Sequence, residues 1–327
     1  MSAPAVSFEF FPPRDLEASF RLWDTVQVLA PLEPRFVSVT YGAGGTTREL
    51  TRDAVSTLHK SSGLKVAAHL TCVDASREET LGIAGEFAKA GVNDIVALRG
   101  DPPKGVDRFV PHAEGFADSC ELIAALKDSG DFTIRVGAYP DKHPEAADDQ
   151  ADIDWLKRKL DAGADEALTQ FFFEAETFLR FRDRCAAAGI TAPVVPGILP
   201  IENWKGVRKF AKGCGTPVPA WLEDAFDKAL RDDRQDLLAT ALCTEMCDTL
   251  VSEGVDALHF YTLNRPELTR DVCFALGVTP KTKLERRLIP CPSRACPGTS
   301  PAPAHRDHEA PDHVRGAFVS RAAWRQK

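Results

Sequence analysis

A closed parallel (β/α)8 TIM barrel is the fold class this sequence predicts, and three observations carry it. Eight short apolar or β-branched runs alternate with longer amphipathic ones from end to end, the counting pattern of a barrel in which every strand is followed by helix. Four helical runs end in glycine just before the next strand (Ala90-Gly91, Ala162-Gly163, Ala188-Gly189 and Glu253-Gly254), where a left-handed C-terminal residue is wanted. After the first strand stands Phe10-Phe11-Pro12-Pro13 rather than a G-x-G-x-x-G turn, which argues against the competing doubly wound open sheet.

Taken in order, the predicted strands are 6–10, 36–40, 66–71, 94–98, 133–138, 166–170, 194–198 and 257–261. Each is a short run with apolar interior positions. The first six are followed by single helical patterns at 16–29, 47–59, 78–90, 116–127, 149–162 and 175–188. Three helical patterns (204–212, 221–230 and 236–252) separate the seventh strand from the eighth, and a last one covers 266–276. Beyond Thr279 the composition turns Pro- and Arg-rich without periodicity. The expectation is therefore one barrel over 1–279 and a disordered tail over 280–327. Cys291, Cys296, His305, His308 and His313 in that tail match no zinc-ligand spacing.

The 327 residues carry a net charge of −8 with 44% apolar and 27% charged side chains, an ordinary globular balance. The acidity argues against nucleic acid as partner, and no apolar run is long enough to cross a membrane. Residues 1–9 lack a basic segment followed by an apolar one, so export is not expected. Seven of the nine cysteines lie scattered among apolar or helical stretches, the usage of reduced thiols in a cytoplasmic protein.

Barrel chemistry sits at the C-terminal strand ends. Those ends read Glu9-Phe10, Thr40-Tyr41-Gly42, His69-Leu70-Thr71, Arg99-Gly100-Asp101, Tyr139-Pro140 with His143 behind, Thr169-Gln170, Gly197-Ile198-Leu199-Pro200, and Tyr261-Thr262-Leu263-Asn264-Arg265. Seven of the eight carry polar or titratable groups, whereas the strand interiors read as apolar. Helix capping explains single members of that set, but explains the set poorly. Glu9, alternating with Phe8 and Phe10, is expected to point into the barrel mouth among apolar groups, with its pKa raised to suit a general acid. A buried salt bridge to Arg99 is the alternative. Gly42–Thr47 could seat an anion at a helix start or simply make a tight turn. Lys157, Arg158 and Lys159 flank Ile153, Leu156 and Leu160 and are expected on the exposed or rim-facing side of their helix. The histidines are single and dispersed, which disfavours a metal hydrolase, and no strand ends in the lysine that Schiff-base chemistry needs.

Together these strings resemble the methylenetetrahydrofolate reductases. Phe8-Glu9-Phe10-Phe11-Pro12-Pro13-Arg14, Ser38-Val39-Thr40-Tyr41-Gly42-Ala43, Ala68-His69-Leu70-Thr71-Cys72 and Ala97-Leu98-Arg99-Gly100-Asp101 carry the likeness in the first half. Ala138-Tyr139-Pro140, Thr169-Gln170-Phe171-Phe172-Phe173, Pro196-Gly197-Ile198-Leu199-Pro200 and Phe260-Tyr261-Thr262-Leu263-Asn264-Arg265 carry it in the second. The resemblance implies a barrel that holds FAD and interconverts 5,10-methylenetetrahydrofolate and 5-methyltetrahydrofolate with NADH or NADPH in ping-pong order. It implies Glu9, Asp101 and Gln170 as catalytic residues that also meet folate, with Phe210, Tyr261 and Arg265 completing the substrate site. Cofactor contacts would come from Thr40, Tyr41, Ala43, His69, Arg99, Gly100, Asp101, Ala117, Tyr139, His143, Asp152, Arg158 and Lys159. No metal is implied. Gly206 stands where the family pattern has Gln, and Trp155 where a small polar residue is common. The same chemistry run oxidatively, or a folate-binding barrel without redox activity, are the alternatives, and association through exposed helices leaves a homo-oligomer open.

Overall fold

The computed structural model describes residues 3–41, 48–101 and 109–280. All eight strands form: β1 (Ala5–Phe10), β2 (Val37–Val39), β3 (Val66–Thr71), β4 (Asp94–Leu98), β5 (Thr133–Ala138), β6 (Glu166–Phe171), β7 (Val194–Ile198) and β8 (Ala257–Tyr261). They hydrogen-bond in chain order, every pair parallel, and β8 closes on β1. The helices are α1 (Leu16–Leu29), α2 (Arg48–Ser62), α3 (Arg77–Lys89), α4 (Ser119–Ser129), α5 (Asp149–Asp161) and α6 (Ala175–Ala187). After β7 come α7 (Trp204–Cys214), α8 (Ala220–Arg231) and α9 (Gln235–Ser252), and α10 (Glu267–Ala275) follows β8. The barrel is the expected one. Of the disordered tail expected over 280–327, all but Pro280 lies outside the described residues.

Capping sets several boundaries that periodicity missed. The α4 helix starts three residues later than expected because Asp118 accepts from the Cys120 and Glu121 amides, satisfying donors that the first turn cannot. At α3, Ser76 and Glu79 form a reciprocal capping box. The four glycines expected to end helices do adopt positive φ, from 77° at Gly189 to 117° at Gly163. The seven cysteines in the described residues are free thiols. None of the described helices is long and apolar enough to cross a membrane.

Strand alternation divides the buried residues into two populations. Phe8, Phe10, Val37, Val39, Ile95, Val136, Ile198 and Phe260 join the helices in one large apolar cluster, each large side chain contributing roughly 1.5–3 kcal/mol by burial. The opposite phase fills the lumen, and it is not apolar as the sequence reading had it. Phe36, Ala67, Val96, Leu168, Val195 and Ala257 form a separate apolar slab across the barrel. Beneath it, at the strand starts, Arg135 donates to Asp94 at 2.7 Å and to Glu166 at 2.9 Å, and lies 3.7 Å over the Phe36 ring. Arg35 and Lys65 reach the same two carboxylates from outside, at 2.7 and 3.0 Å. Above the slab, Ser7, Ser38, His69, His259 and Glu9 are all buried.

Charges in a lumen are tolerable only when paired, and Arg135 is the group that pairs both carboxylates of the lower plug. Arg135→Met should therefore lower stability, by less than the roughly 3–5 kcal/mol of a fully orphaned buried charge, because Arg35 and Lys65 still reach the two carboxylates. Urea unfolding measures it, and a midpoint unchanged from wild type would contradict the assignment.

Candidate functional site

Glu9 is placed by its own strand and locked by the neighbouring one. Thr262 donates to the Glu9 carbonyl through Oγ1 at 2.7 Å, and the Asn264 side chain brackets Phe11, accepting from its amide at 2.9 Å and donating to its carbonyl at 3.0 Å. Leu263 and Asn264 take left-handed backbone to make this turn, a conformation Asn tolerates better than most residues. The carboxyl does point into the barrel, but its surroundings differ from the expectation. Its Oε2 lies 3.2 Å from His69 Nε2 and 3.7 Å from His259 Nε2, and Ser38 Oγ donates to it at 3.4 Å. Burial pushes the Glu9 carboxyl up, but the two imidazoles outweigh it and draw the group down to about 2. The expected raised acid is thus a carboxylate, because imidazoles rather than apolar side chains surround it. Nor is Arg99 its partner: that guanidinium forms a fork with Glu145 at 2.5 and 3.1 Å.

Around the mouth, the β4 end supplies Arg99, Gly100 and Asp101. Gly100 has φ +87°, and a Cβ there would stand 2.5 Å from Val73 Cγ2 and 2.9 Å from Thr71 Cβ, so no other residue fits without displacement. Thr71 Oγ1, just beneath, is buried with no hydrogen-bond partner, an unusual state for a hydroxyl. Asp101 is pushed up to about 7 by burial, with Arg99 pulling it down and Glu145 adding to the rise. On β5, Tyr139 is half-buried and meets His143 edge-on at 4.5 Å. His143 Nδ1 accepts from the Glu145 amide at 3.0 Å, which leaves the proton of the neutral ring on Nε2, and burial lowers this imidazole to about 4. Asp152 on α5 accepts from the His143 backbone amide at 2.8 Å.

The basic cluster divides. Arg158 is exposed, with its guanidinium 4.6 Å over Trp155, and Lys157 pairs with Asp161 in solvent. Lys159, expected on the exposed or rim-facing side, is instead buried and donates to the Gly137 carbonyl. It continues the stripe Asp152, Leu156, Lys159, at the helical spacing i, i+4, i+7, so it belongs to the covered face. Burial lowers its amine to about 8. Thr40 and Tyr41 are buried at the β2 end, Ala117 is exposed just ahead of α4, and Ala43, with the Gly42–Thr47 loop, lies outside the described residues.

The opposite side of the mouth collects the remaining predicted residues. The register of β6 on β7 shifts between Leu168 and Phe171, and bulges of this kind re-aim a side chain. Gln170 sits within that irregularity, its Oε1 accepting from the Phe171 amide at 3.0 Å. Phe210 from α7 stacks on Phe171 at 5.4 Å. Tyr261 donates to the Thr169 carbonyl at 2.6 Å, and Gly197 makes room for it, since a Cβ there would lie 2.6 Å from the Tyr261 ring. Arg265 stands farther out, half exposed, 3.8 Å from Glu202. Gly206 lies in the first turn of α7, its amide capped by Asn203.

Three residues of the site were given no role in the sequence reading, Ser7, His259 and Glu145, and Thr71 was read there only as a rim residue. Ser7 and His259 sit two positions before Glu9 and Tyr261 on the same strands, so the period of two that placed the rim residues also pointed to them. Thr71 closes the β3 run but has no chemistry of its own in sequence. Glu145 lies in a loop with no periodicity to place it.

The chain is similar to known proteins over most of its length. The family model described as methylenetetrahydrofolate reductase matches residues 2–277. The 5,10-methylenetetrahydrofolate reductase of Pectobacterium carotovorum is 46% identical over 276 residues, covering 84% of this chain and 91% of that protein. The enzyme of the same name from Escherichia coli K12 is 46% identical over 277 residues with the same coverage. Methylenetetrahydrofolate reductase (NADH) 1 of Arabidopsis thaliana is 35% identical over 297 residues, which make up 50% of its length. Among solved structures, a Clostridium thermocellum protein described as binding two copies of 5-methyl-5,6,7,8-tetrahydrofolic acid shares the fold, with a TM-score of 0.54 at 14% identity over 85% of this chain and 95% of that one.

The Asp101 carboxyl makes a checkable prediction. Its folded value of about 7 exceeds the ordinary 3.8, so its favourable contribution is full below pH 3.8 and is lost as pH rises through 7. Asp101→Asn should remove that slope and be the more stable protein at pH 8, with little difference at pH 4. Denaturant titrations at both pH values test it; equal wild-type and variant stability at pH 8 would contradict the buried, destabilised carboxylate.

Proposed function

The chain belongs to the methylenetetrahydrofolate reductase family, and from that premise we propose that it is a flavin-dependent enzyme reducing 5,10-methylenetetrahydrofolate to 5-methyltetrahydrofolate at the expense of NADH or NADPH. The observation that carries the reading is a buried carboxyl at the C-terminal end of β1, held by two imidazoles inside the barrel. A plain binding barrel has no use for such a group.

The mouth fits a flavin on its own chemistry. Thr71 Oγ1 is an orphaned buried hydroxyl, His143 presents an Nε2 proton beside Tyr139, and Gly100 keeps the β4 turn tight. Arg99, Asp101, Tyr139 and His143 would line the ring system, with Thr40 and Tyr41 at the β2 end. Ala117, Asp152 and Arg158 would flank the nucleotide part, and Lys159 would serve it only by leaving Gly137. When bound, FAD supplies hydride transfer between nicotinamide and folate; position and electrostatics fall to the protein.

Phe210 would offer an aromatic face to either flat substrate, and Gln170 an amide to each in turn. One face serving two substrates in turn predicts ping-pong kinetics. Arg265, at the rim, would meet the carboxylates of the folate tail. Glu9, ionised in the free protein, would first take up a proton and then pass it to the amine nitrogen that releases the one-carbon unit, opening the folate's five-membered ring to a reactive iminium. The seven free cysteines among the described residues fit a reducing compartment, and we place the enzyme in the cytoplasm.

Two measurements test this reading. Purified protein, reconstituted with FAD, should show a flavin absorbance band that NADH or NADPH bleaches anaerobically; protein that takes up no flavin would refute the cofactor assignment. Glu9→Gln should leave flavin reduction by NAD(P)H intact and slow the folate half-reaction by at least about 10²-fold, the scale of a lost general acid. Equal losses in both half-reactions would remove Glu9 from that role.

A further inference from the structure

Beyond the end of β7 stands a half-buried acid, Glu202, to which the proposed reaction gives no part. Its backbone is pinned from α9. The Glu202 carbonyl accepts from Gln235 Nε2 at 2.9 Å, and Gln235 Oε1 accepts from the Trp204 amide at 3.1 Å. Trp204 is itself buried and stacked on Phe226 at 4.7 Å, so the segment that carries Glu202 is fixed on both sides. Of the two carboxyl oxygens, Oε1 is buried with no hydrogen-bond partner. Oε2 lies 3.8 Å from Arg265 Nη1, too far for a hydrogen bond. A buried polar atom left open costs free energy, and such atoms call for a partner that arrives from outside.

Resting on the reading that Arg265 meets the folate tail, we propose that Glu202 is a second tail-binding residue, which pairs with a tail carboxylate as a carboxylic acid while Arg265 takes the tail's charge. The surrounding charges require the acid form. Arg265 comes from the turn after β8, Glu267 from the start of α10 and Asp236 from the first turn of α9. Glu267 and Asp236 are exposed and keep their charge in water, so two more carboxylates cannot settle beside one guanidinium and an ionised Glu202. A proton from solvent joins Glu202, and the new O–H donates to a tail oxygen. No bond of the folate changes, and the loose Glu202–Arg265 pair is exchanged for one between Arg265 and the tail.

The free protein is poised for this exchange. Burial pushes the Glu202 carboxyl up, Arg265 draws it down, Glu267 raises it, the Leu268 amide lowers it and Asp236 raises it, to about 7. A tail that engages Arg265 weakens the main opposing influence and adds negative charge, so the bound state holds the proton more tightly. Below pH 7 the acid is already protonated and tail binding is at its strongest. Above pH 7 each tail that binds must bring one proton with it, and affinity falls by up to about tenfold per pH unit. Glu202 thereby makes recognition of the glutamate tail, and not of the pterin, the pH-sensitive part of folate binding.

Calorimetric titration of the reduced holoenzyme with 5-methyltetrahydrofolate tests this, since neither partner can then pass a hydride to the other. The matching pteroate, which lacks the glutamate, serves as the control and cancels groups in the mouth such as Asp101. In the wild type the preference for folate over pteroate should fall roughly tenfold between pH 6 and pH 8. Buffers of different ionisation heat should count close to one extra proton taken up with the folate at pH 8. Glu202→Gln, whose amide donates at every pH, should hold the preference constant and take up no extra proton. A variant that keeps the wild-type profile overturns the proposal, and so does a wild type that takes up no extra proton, which decides the matter even if the variant fails to fold. If Arg265→Ala abolishes the preference while Glu202→Gln changes nothing, the tail reading stands and only Glu202 loses its part. If Arg265→Ala leaves the preference intact, or no folate binds, the reading beneath the proposal falls as well.

Discussion

The contact between the Glu9 carboxylate and two imidazoles across the barrel lumen is the interaction on which the site depends. A charged carboxyl buried among apolar groups would be neutral or would unfold its surroundings. Here three strands meet to prevent that: β1 brings Glu9, β3 brings His69 at 3.2 Å, and β8 brings His259 at 3.7 Å. Only a closed barrel brings β1, β3 and β8 to one point in its interior. Closure of β8 on β1 is reinforced just above by Thr262 and Asn264, so the fold and the site are fixed by the same seam.

The lumen is layered in a way that follows from this. A charged plug centred on Arg135 closes the floor, an apolar slab lies over it, and the imidazoles and Glu9 stand on the slab. The slab separates one set of charges from the other, while Phe36 touches both, meeting Arg135 on one side and His259 on the other. Stability therefore concentrates at the floor, and the mouth is free to hold groups that folding alone would reject. Asp101, raised to about 7, and the unpartnered Thr71 hydroxyl are such groups. Both sit where a ligand would come.

Much of this was legible in the sequence, for identifiable reasons. Strand and helix runs have clear periods, and the glycines at 91, 163, 189 and 254 mark the helix ends that the structure shows. Rim residues such as Glu9, Gln170 and Tyr261 follow from strand ends alone. What was misread depended on partners from distant strands. Glu9 has aromatic neighbours in sequence, yet alternation turns those outward and exposes it to imidazoles 60 and 250 residues away. Lys159 looked like one of three surface cations because the residues beside it in sequence are charged; its helical neighbours Asp152 and Leu156 show it buried. The Arg99–Glu145 fork could not be foreseen, since its carboxylate comes from a loop.

The central claim is that Glu9 rests ionised at the floor of the mouth. An infrared difference spectrum between wild-type holoenzyme and Glu9→Gln at pH 5 tests this most directly. The account predicts that the variant loses a carboxylate band and no carboxylic-acid band. Loss of a protonated-carboxyl band at that pH would contradict it, and would mean that burial rather than the two histidines governs the group.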